Sequence, residues 1–175
     1  AMGLKKGDRV MLVSENRPEW CIADLAIMAA GCVTVPTYIT NTERDHQHIL
    51  DNSQSRAVIV STAKLAQHLM PAVVRSSECE FVIGMEPLKV TQRGQQKHHD
   101  WADLVQGNDA DVKALTEEMA HVGRRELACI IYTSGTGGAP RGVMLHHGSI
   151  ICNVDGAAQV LREDFGLDNE RFLSF

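Results

Sequence analysis

The sequence predicts an α/β fold, a mostly parallel sheet flanked by helices. Three observations carry that prediction. Short, largely apolar segments of strand length recur at Val10–Val13, Cys32–Val35, Arg56–Val60 and Glu80–Ile83. The longer stretches between them carry helix start and stop signals. The two kinds of segment alternate at the spacing of βαβ units, which implies parallel strands joined by right-handed crossovers.

Each element follows from its residues. Asp8 to Val13 is the first strand. Ser14 to Trp20 then reads as a turn into a helix, with Asn16 as cap, Pro18 in the first turn and Glu19 at the capping-box position. That helix runs to about Ala30 and stops at Gly31. Between Trp20 and Ala30 only Asp24 is charged, so burial of most of its surface is expected. Cys32 to Val35 is a second strand, closed by Pro36. Thr42 and Asp45 form a capping box for a helix through about Leu50. Arg56 to Val60 is the third strand, and Thr62 to about Val74 a helix kinked or ended by Pro71. Glu80 to Ile83 is the fourth strand.

The stretch from Glu86 to His99 is polar and irregular, and reads as an exposed connection prone to disorder. Asp100 to Val105 and Asp111 to His121 form two short surface helices packed through Trp101, Leu104, Val112 and Leu115. Leu127 to Ile131 is a buried strand, and Val143 to Leu145 a second apolar patch. A helix from about Gly148 to Arg162 carries an apolar stripe through Ile150, Ile151, Val154, Ala157, Ala158 and Leu161. Arg171 to Phe175 looks like a strand just beginning.

The totals set limits. A chain of 175 residues that is 44% hydrophobic suits one domain with a real core. A net charge of −5 argues against nucleic acid as a partner. No run approaches the roughly 18 apolar residues of a membrane span. The five cysteines, Cys21, Cys32, Cys79, Cys129 and Cys152, are scattered in apolar surroundings, the usage of reduced core thiols in a cytosolic protein. Ala1 before Met2 reads as a cloning remnant, which leaves residues 3–175 as the folded portion.

Chemistry concentrates between the two apolar patches. Thr133 to Gly142 contains four glycines, three hydroxyls, one proline and one cation. Glycines let the backbone approach a ligand closely. Hydroxyls and main-chain N–H groups donate to phosphate oxygens, and Arg141 adds a permanent charge with a fork of donors. A Walker loop would need a Lys-Ser or Lys-Thr pair after its glycines, and none follows here. Ser134 is not a nucleophile-elbow serine, since Tyr132 and Thr136 fill the flanking glycine positions.

The run Tyr132-Thr133-Ser134-Gly135-Thr136-Gly137-Gly138-Ala139-Pro140-Arg141-Gly142-Val143 resembles the phosphate-binding signature of adenylate-forming enzymes. Gly137 stands where threonine is usual and Arg141 where lysine is usual. Gly7-Asp8-Arg9-Val10, Ser14 to Trp20, Ala23-Asp24-Leu25-Ala26, Ala30 to Pro36 and Val143 to His147 extend the likeness over most of the chain. The combination is most similar to long-chain fatty-acid–CoA ligases.

The resemblance implies an N-terminal fragment of the adenylation domain, truncated at its C-terminal end. It implies ATP, Mg and coenzyme A as cofactors or co-substrates and a fatty acid as substrate. Thr133, Ser134, Gly135, Thr136, Gly137, Gly138 and Arg141 would bind the nucleotide, with Thr133 also facing the metal. The acidic metal ligand of a later Tyr-Gly-x-Thr-Glu motif, the ribose aspartate and the C-terminal lysine of the family are absent from this sequence. No catalytic residue is therefore identifiable, and the chain alone is expected to be inactive, with a loop that is mobile without ligand. A homodimer of the whole enzyme is allowed. Two other readings stay open: a non-catalytic nucleotide-binding module, or an adenylate-forming enzyme for a medium-chain, aryl or amino-acid carboxylate. A third makes the loop only a linker in an interaction domain.

The remaining candidates weigh toward structure. His98-His99 and His146-His147 lack neighbours at metal-ligand spacing and read as surface or capping groups. Asp24 pairs with a local donor, and Trp20 and Trp101 are packing anchors.

Overall fold

Strands made of unbroken apolar runs need cover on both faces, and the chain folds to provide it. The computed structural model describes residues 2–88, 94–106, 111–133, 139–163 and 165–166. In chain order these form β1 (Arg9–Val13), α1 (Pro18–Ala29), β2 (Val33–Thr37), α2 (Glu43–Ser53), β3 (Ala57–Val60), α3 (Ala63–Arg75) and β4 (Phe81–Gly84). There follow β5 (Lys97–Asp100), α4 (Trp101–Val105), α5 (Val112–Ala120), β6 (Leu127–Thr133), β7 (Arg141–His146) and α6 (His147–Glu163).

The described strands make one sheet in the order β5-β4-β3-β1-β2-β6-β7. Met11 of β1 lies between Val35 of β2 and Val58 of β3, both parallel partners. Pairing is parallel from β5 through β6 and antiparallel between β6 and β7. The chain moves to one side of β1 to make β2 and to the other to make β3, the doubly wound pattern. Met11, Val13, Val58 and Val60 therefore point to α2 and α3, where Ile49, Leu50, Leu69 and Val73 close a core. Val10, Leu12, Ala57 and Ile59 point the other way, to Ala23 and Ile27 of α1, with Trp20, Trp101 and Leu104 at the margin. Both tryptophans are packing groups, as their sequence setting predicts.

Local signals explain the element ends. Thr42 and Asp45 make the predicted capping box on α2. Gly31, at φ +69°, ends α1: its N–H bonds to the Met28 carbonyl and that of Cys32 to Ile27, a Schellman closure. At the amino-terminal edge Arg56 bridges Asp8, at 2.8 Å, and Glu80, tying the entries to three adjacent strands.

Several expectations need correction. Residues 97–100 are an edge strand, so the polar stretch from Glu86 to His99 is not all open connection. Its ladder partner β4, rather than hydrophobicity, makes it a strand, and Lys97 and His99 lie against the Phe81 ring. Asn16 does not cap α1. The helix begins at Pro18, Arg17 takes the cap position, and Glu19 falls one residue short of the box and pairs with Arg17 at 2.9 Å. Pro71 does not end α3, which continues to Arg75. Two of the five thiols, Cys21 and Cys152, are exposed. Helix α1 is covered on one side only. Ala23 and Ile27 are buried, whereas Ile22 and Leu25 are more than half exposed. Val112 of α5 is exposed, and the stripe on α6 has no fully buried residue. The reading of Arg171 to Phe175 as a strand lies outside the described residues.

His46 of α2 is 1% exposed, and its Nδ1 has no hydrogen-bond partner among the described residues. Burial lowers its pKa to about 4, with Asp45 opposing and His68 reinforcing the shift. The unfolded imidazole titrates near 6.5, so the unfolded state binds the extra proton between those values. Stability is complete above that range and falls as pH drops through it. Between about pH 7 and pH 5 the chain should lose about 2 kcal/mol of unfolding free energy through this group. Urea midpoints check this: the loss should vanish in His46→Leu, and a wild-type midpoint that stays put across the interval would sink the assignment.

Candidate functional site

The site grows out of the end of β6. Ala128, Cys129, Ile130 and Tyr132 are buried, which fixes β6 beside β2 with its carboxyl end among those of β1 and β2. Ligands of open α/β sheets bind at this edge. After β6 the chain returns antiparallel as β7, with Tyr132 opposite Gly142 and Thr133 opposite Arg141. Directly opposed residues share a face, so the structure brings Thr133 and Arg141 together at the mouth of the glycine-rich segment, both exposed. The other predicted site residues, Ser134, Gly135, Thr136, Gly137 and Gly138, lie outside the described residues. So does the expectation that this loop is mobile without ligand.

Side chains alternate along a strand, so Tyr132 points away from Thr133 and into the α2–α3 core. Its hydroxyl donates to Asn52 Oδ1 at 2.6 Å. Burial raises the phenol's pKa, which keeps the donor protonated at neutral pH. Gly142 makes room for the ring. A Cβ there would sit 2.7 Å from Ile130 Cγ2 and 3.1 Å from Tyr132 Cζ. The requirement for glycine at this position thus comes from a neighbouring side chain. Beyond the loop, His48 Nε2–H donates to the Pro140 carbonyl at 2.8 Å, and its ring meets Tyr132 edge-on, centroids 6.2 Å apart. His48 and Asn52 are functional candidates that the sequence reading passes over. Their only signal is a pair of polar residues one helical turn apart on α2, His48 half-buried and Asn52 exposed.

Beside the last residues of β6 a cleft of about 440 Å³ opens, walled by Trp20, Thr37, Tyr38, Ile39 and Ile131, with Glu15 at its polar end. Glu15 accepts a hydrogen bond from the Ser61 hydroxyl, bridging the carboxyl ends of β1 and β3. Asp24 is half-buried. Burial raises the pKa of its carboxyl. His146 caps α6, its Nδ1 accepting the Ser149 N–H at 2.9 Å. Among the described residues no three His, Cys, Asp or Glu side chains converge to hold a metal ion. Thr133 offers one neutral oxygen, which suits a hard cation that draws its other ligands from phosphate and water.

The fold and the site together define an open, doubly wound α/β protein with a hydroxyl and a guanidinium opposed at the carboxyl edge of its sheet. Residues 1–175 match the model of the AMP-binding enzyme family, and the chain belongs to that family. It is 31% identical over 160 residues to the long-chain-fatty-acid–CoA ligase FadD15 of Mycobacterium tuberculosis, covering 90% of this chain and 25% of that one. With fatty acyl-CoA synthetase A of Dictyostelium discoideum it shares 28% over 169 residues, again 25% of the relative. The chain thus spans about a quarter of the length of these relatives. Among solved structures, apo MbtA of Mycobacterium smegmatis superposes with a TM-score of 0.70 at 20% identity, over 92% of this chain and 28% of that one. A long-chain-fatty-acid–CoA ligase from Archaeoglobus fulgidus gives 0.63 at 22%, over 95% and 29%. These likenesses confirm the expected fold, a mostly parallel sheet flanked by helices, as part of a larger adenylate-forming domain.

The packing at Gly142 yields a test. Gly142→Ala should cost about 1–3 kcal/mol, since the added methyl would force the buried Ile130 and Tyr132 side chains to shift. Gly156→Ala, in open space on α6, should instead stabilise by up to about 1 kcal/mol. Thermal unfolding of both variants checks the contrast. Equal shifts would mean that Tyr132 does not lie over Gly142.

Proposed function

We propose that this chain supplies the phosphate-binding end of an ATP-dependent fatty-acid–CoA ligase. The observation that carries the reading is the Thr133–Arg141 pair, opposed at the carboxyl edge inside the run Tyr132 to Val143. Membership of the AMP-binding family and the fatty-acid ligases among its relatives support it. In the proposed reaction a fatty-acid carboxylate oxygen attacks the α-phosphorus of ATP. The bond to the bridging oxygen breaks, and acyl-adenylate and pyrophosphate form. The thiolate of coenzyme A then attacks the acyl carbon, and AMP leaves.

An anion must approach a polyanion in the first step, so charge has to be offset where the phosphates lie. Arg141 is exposed at the mouth of the loop and carries a guanidinium cation. Two of its N–H groups can grip two phosphate oxygens at once in a fixed planar fork, where the lysine usual in the family offers a compact point charge. The Thr133 hydroxyl, on the same face, would donate to a phosphate oxygen or contribute its oxygen to Mg. When bound, Mg supplies further charge neutralisation on the phosphates. Ser134, Gly135, Thr136, Gly137 and Gly138 would complete the cradle with hydroxyl and main-chain donors.

The larger enzyme is part of the proposal. Leu25, Met28, Leu115, Met119 and Ile151 line an apolar groove of about 600 Å³ between α1, α5 and α6. Such a face suits a chain a quarter the length of its relatives. The cysteine usage supports a reducing, cytoplasmic setting.

Carboxylate-dependent ATP–pyrophosphate exchange tests the reading, run on this chain and on the full-length protein across acids of rising length. The full-length protein should exchange with long-chain acids, and this chain alone should not. Arg141→Ala should lower exchange roughly 10- to 100-fold, the worth of one or two charge-assisted hydrogen bonds. A folded full-length protein that exchanges with no acid would instead be a nucleotide-binding module.

A further inference from the structure

We propose that α2 is a positioning element of the site, with His48 and Asn52 holding Thr133 and Arg141 in place for the nucleotide phosphates. The ligand in this inference rests on the ligase reading above; the contacts rest on geometry.

The two residues are four apart on α2 and so lie one above the other on one face. Asn52 takes the hydroxyl hydrogen of Tyr132, immediately before Thr133. His48 donates to the carbonyl of Pro140, immediately before Arg141. One helix face therefore grips both sides of the glycine-rich segment. The Pro140 carbonyl and the Arg141 N–H belong to the same planar peptide unit, so fixing one aims the other. Pro140 has no N–H and a restricted φ, which leaves its carbonyl as the handle for such a contact. On the other side, a hydroxyl bond at the far end of a buried ring pins Tyr132, and Thr133 is set by strand alternation.

The helix is firm enough to serve as a reference. Its N-terminus is closed by the Thr42–Asp45 box. Ile49 and Leu50 are buried in the core. Arg75 of α3 holds Gln47 at 3.0 Å and Glu43 at 2.7 Å.

His48→Leu keeps an apolar group near Tyr132 but cannot donate; His48→Gln can. Tyr132→Phe keeps the ring and removes the donor to Asn52. In the full-length protein, His48→Leu should raise KM for ATP roughly five- to tenfold and leave KM for the fatty acid unchanged. His48→Gln should recover most of the loss. A merely structural role would lower the active fraction, and so kcat, with both KM values intact. That pattern, or no change at all beside an active wild type, would overturn the proposal and leave the ligase reading standing. Amide hydrogen exchange at Arg141 tests the grip independently of activity. It should quicken at least about tenfold in His48→Leu, and Thr133 should respond likewise in Tyr132→Phe. Unchanged exchange at both amides overturns the inference whatever the enzyme does. A wild type that exchanges pyrophosphate with no acid removes the ligase reading, and the amide measurement then still decides whether α2 holds the pair.

Discussion

A parallel sheet has no solvent-tolerant face, and that constraint organises this chain. The central strands β1 and β3 alternate side chains between two separate cores, so both helical layers must be present before either face is dry. Reversing direction at β1 places α1 on one side and α2 and α3 on the other. The same reversal leaves the carboxyl ends of the strands uncovered, because the crossovers leave from there and spread apart. A ligand-facing edge thus follows from covering the sheet. Arg56, bonded to Asp8 and Glu80 at the opposite edge, has only structural partners.

Chemistry enters where the parallel rule is broken. β7 runs antiparallel to β6, and the glycine-rich run of the sequence lies between the two strands. An edge hairpin of this kind would be poorly fixed if its strands met only each other. Tyr132 supplies the missing restraint by reaching into the α2–α3 core, and Gly142 admits it by having no side chain. Period-two alternation then makes one strand serve two purposes. Tyr132 belongs to the core, and Thr133, the next residue, is exposed at the proposed site.

Much of this was legible in the residues. Unbroken apolar runs of four residues announced strands buried on both faces, and the Thr42–Asp45 and Gly31 signals placed helix ends where they fall. The signature run located Thr133 and Arg141 without any structure. Other features were invisible for physical reasons. β5 is Lys-His-His-Asp, a strand only because β4 offers it a ladder, and no local pattern encodes a partner sixteen residues earlier. The start of α1 missed its box by one residue, because Pro18 and the Arg17–Glu19 pair set a different register. His48 and Asn52 looked like ordinary polar positions on an amphipathic helix, and their bonds reach 92 and 80 residues away.

Helix α1 exposes more apolar surface than its sequence pattern predicts. Its residues are apolar nearly all round, which calls for burial on most sides, yet only Ala23 and Ile27 are fully covered. Ile22 and Leu25 face outward, and Leu25 joins α5 and α6 in walling an apolar groove. The cost of leaving such surface wet is about 25 cal/mol per Å², so several exposed large side chains amount to several kcal/mol. The chain spans about a quarter of the length of its relatives, and the proposed remainder would cover such surface. The same reasoning bears on the site. Thr133 and Arg141 are placed by contacts inside this chain, while the groups that would complete charge neutralisation around ATP belong to the proposed remainder. The α2 contacts to Tyr132 and Pro140 would define the position of the first set before the proposed remainder adds the second.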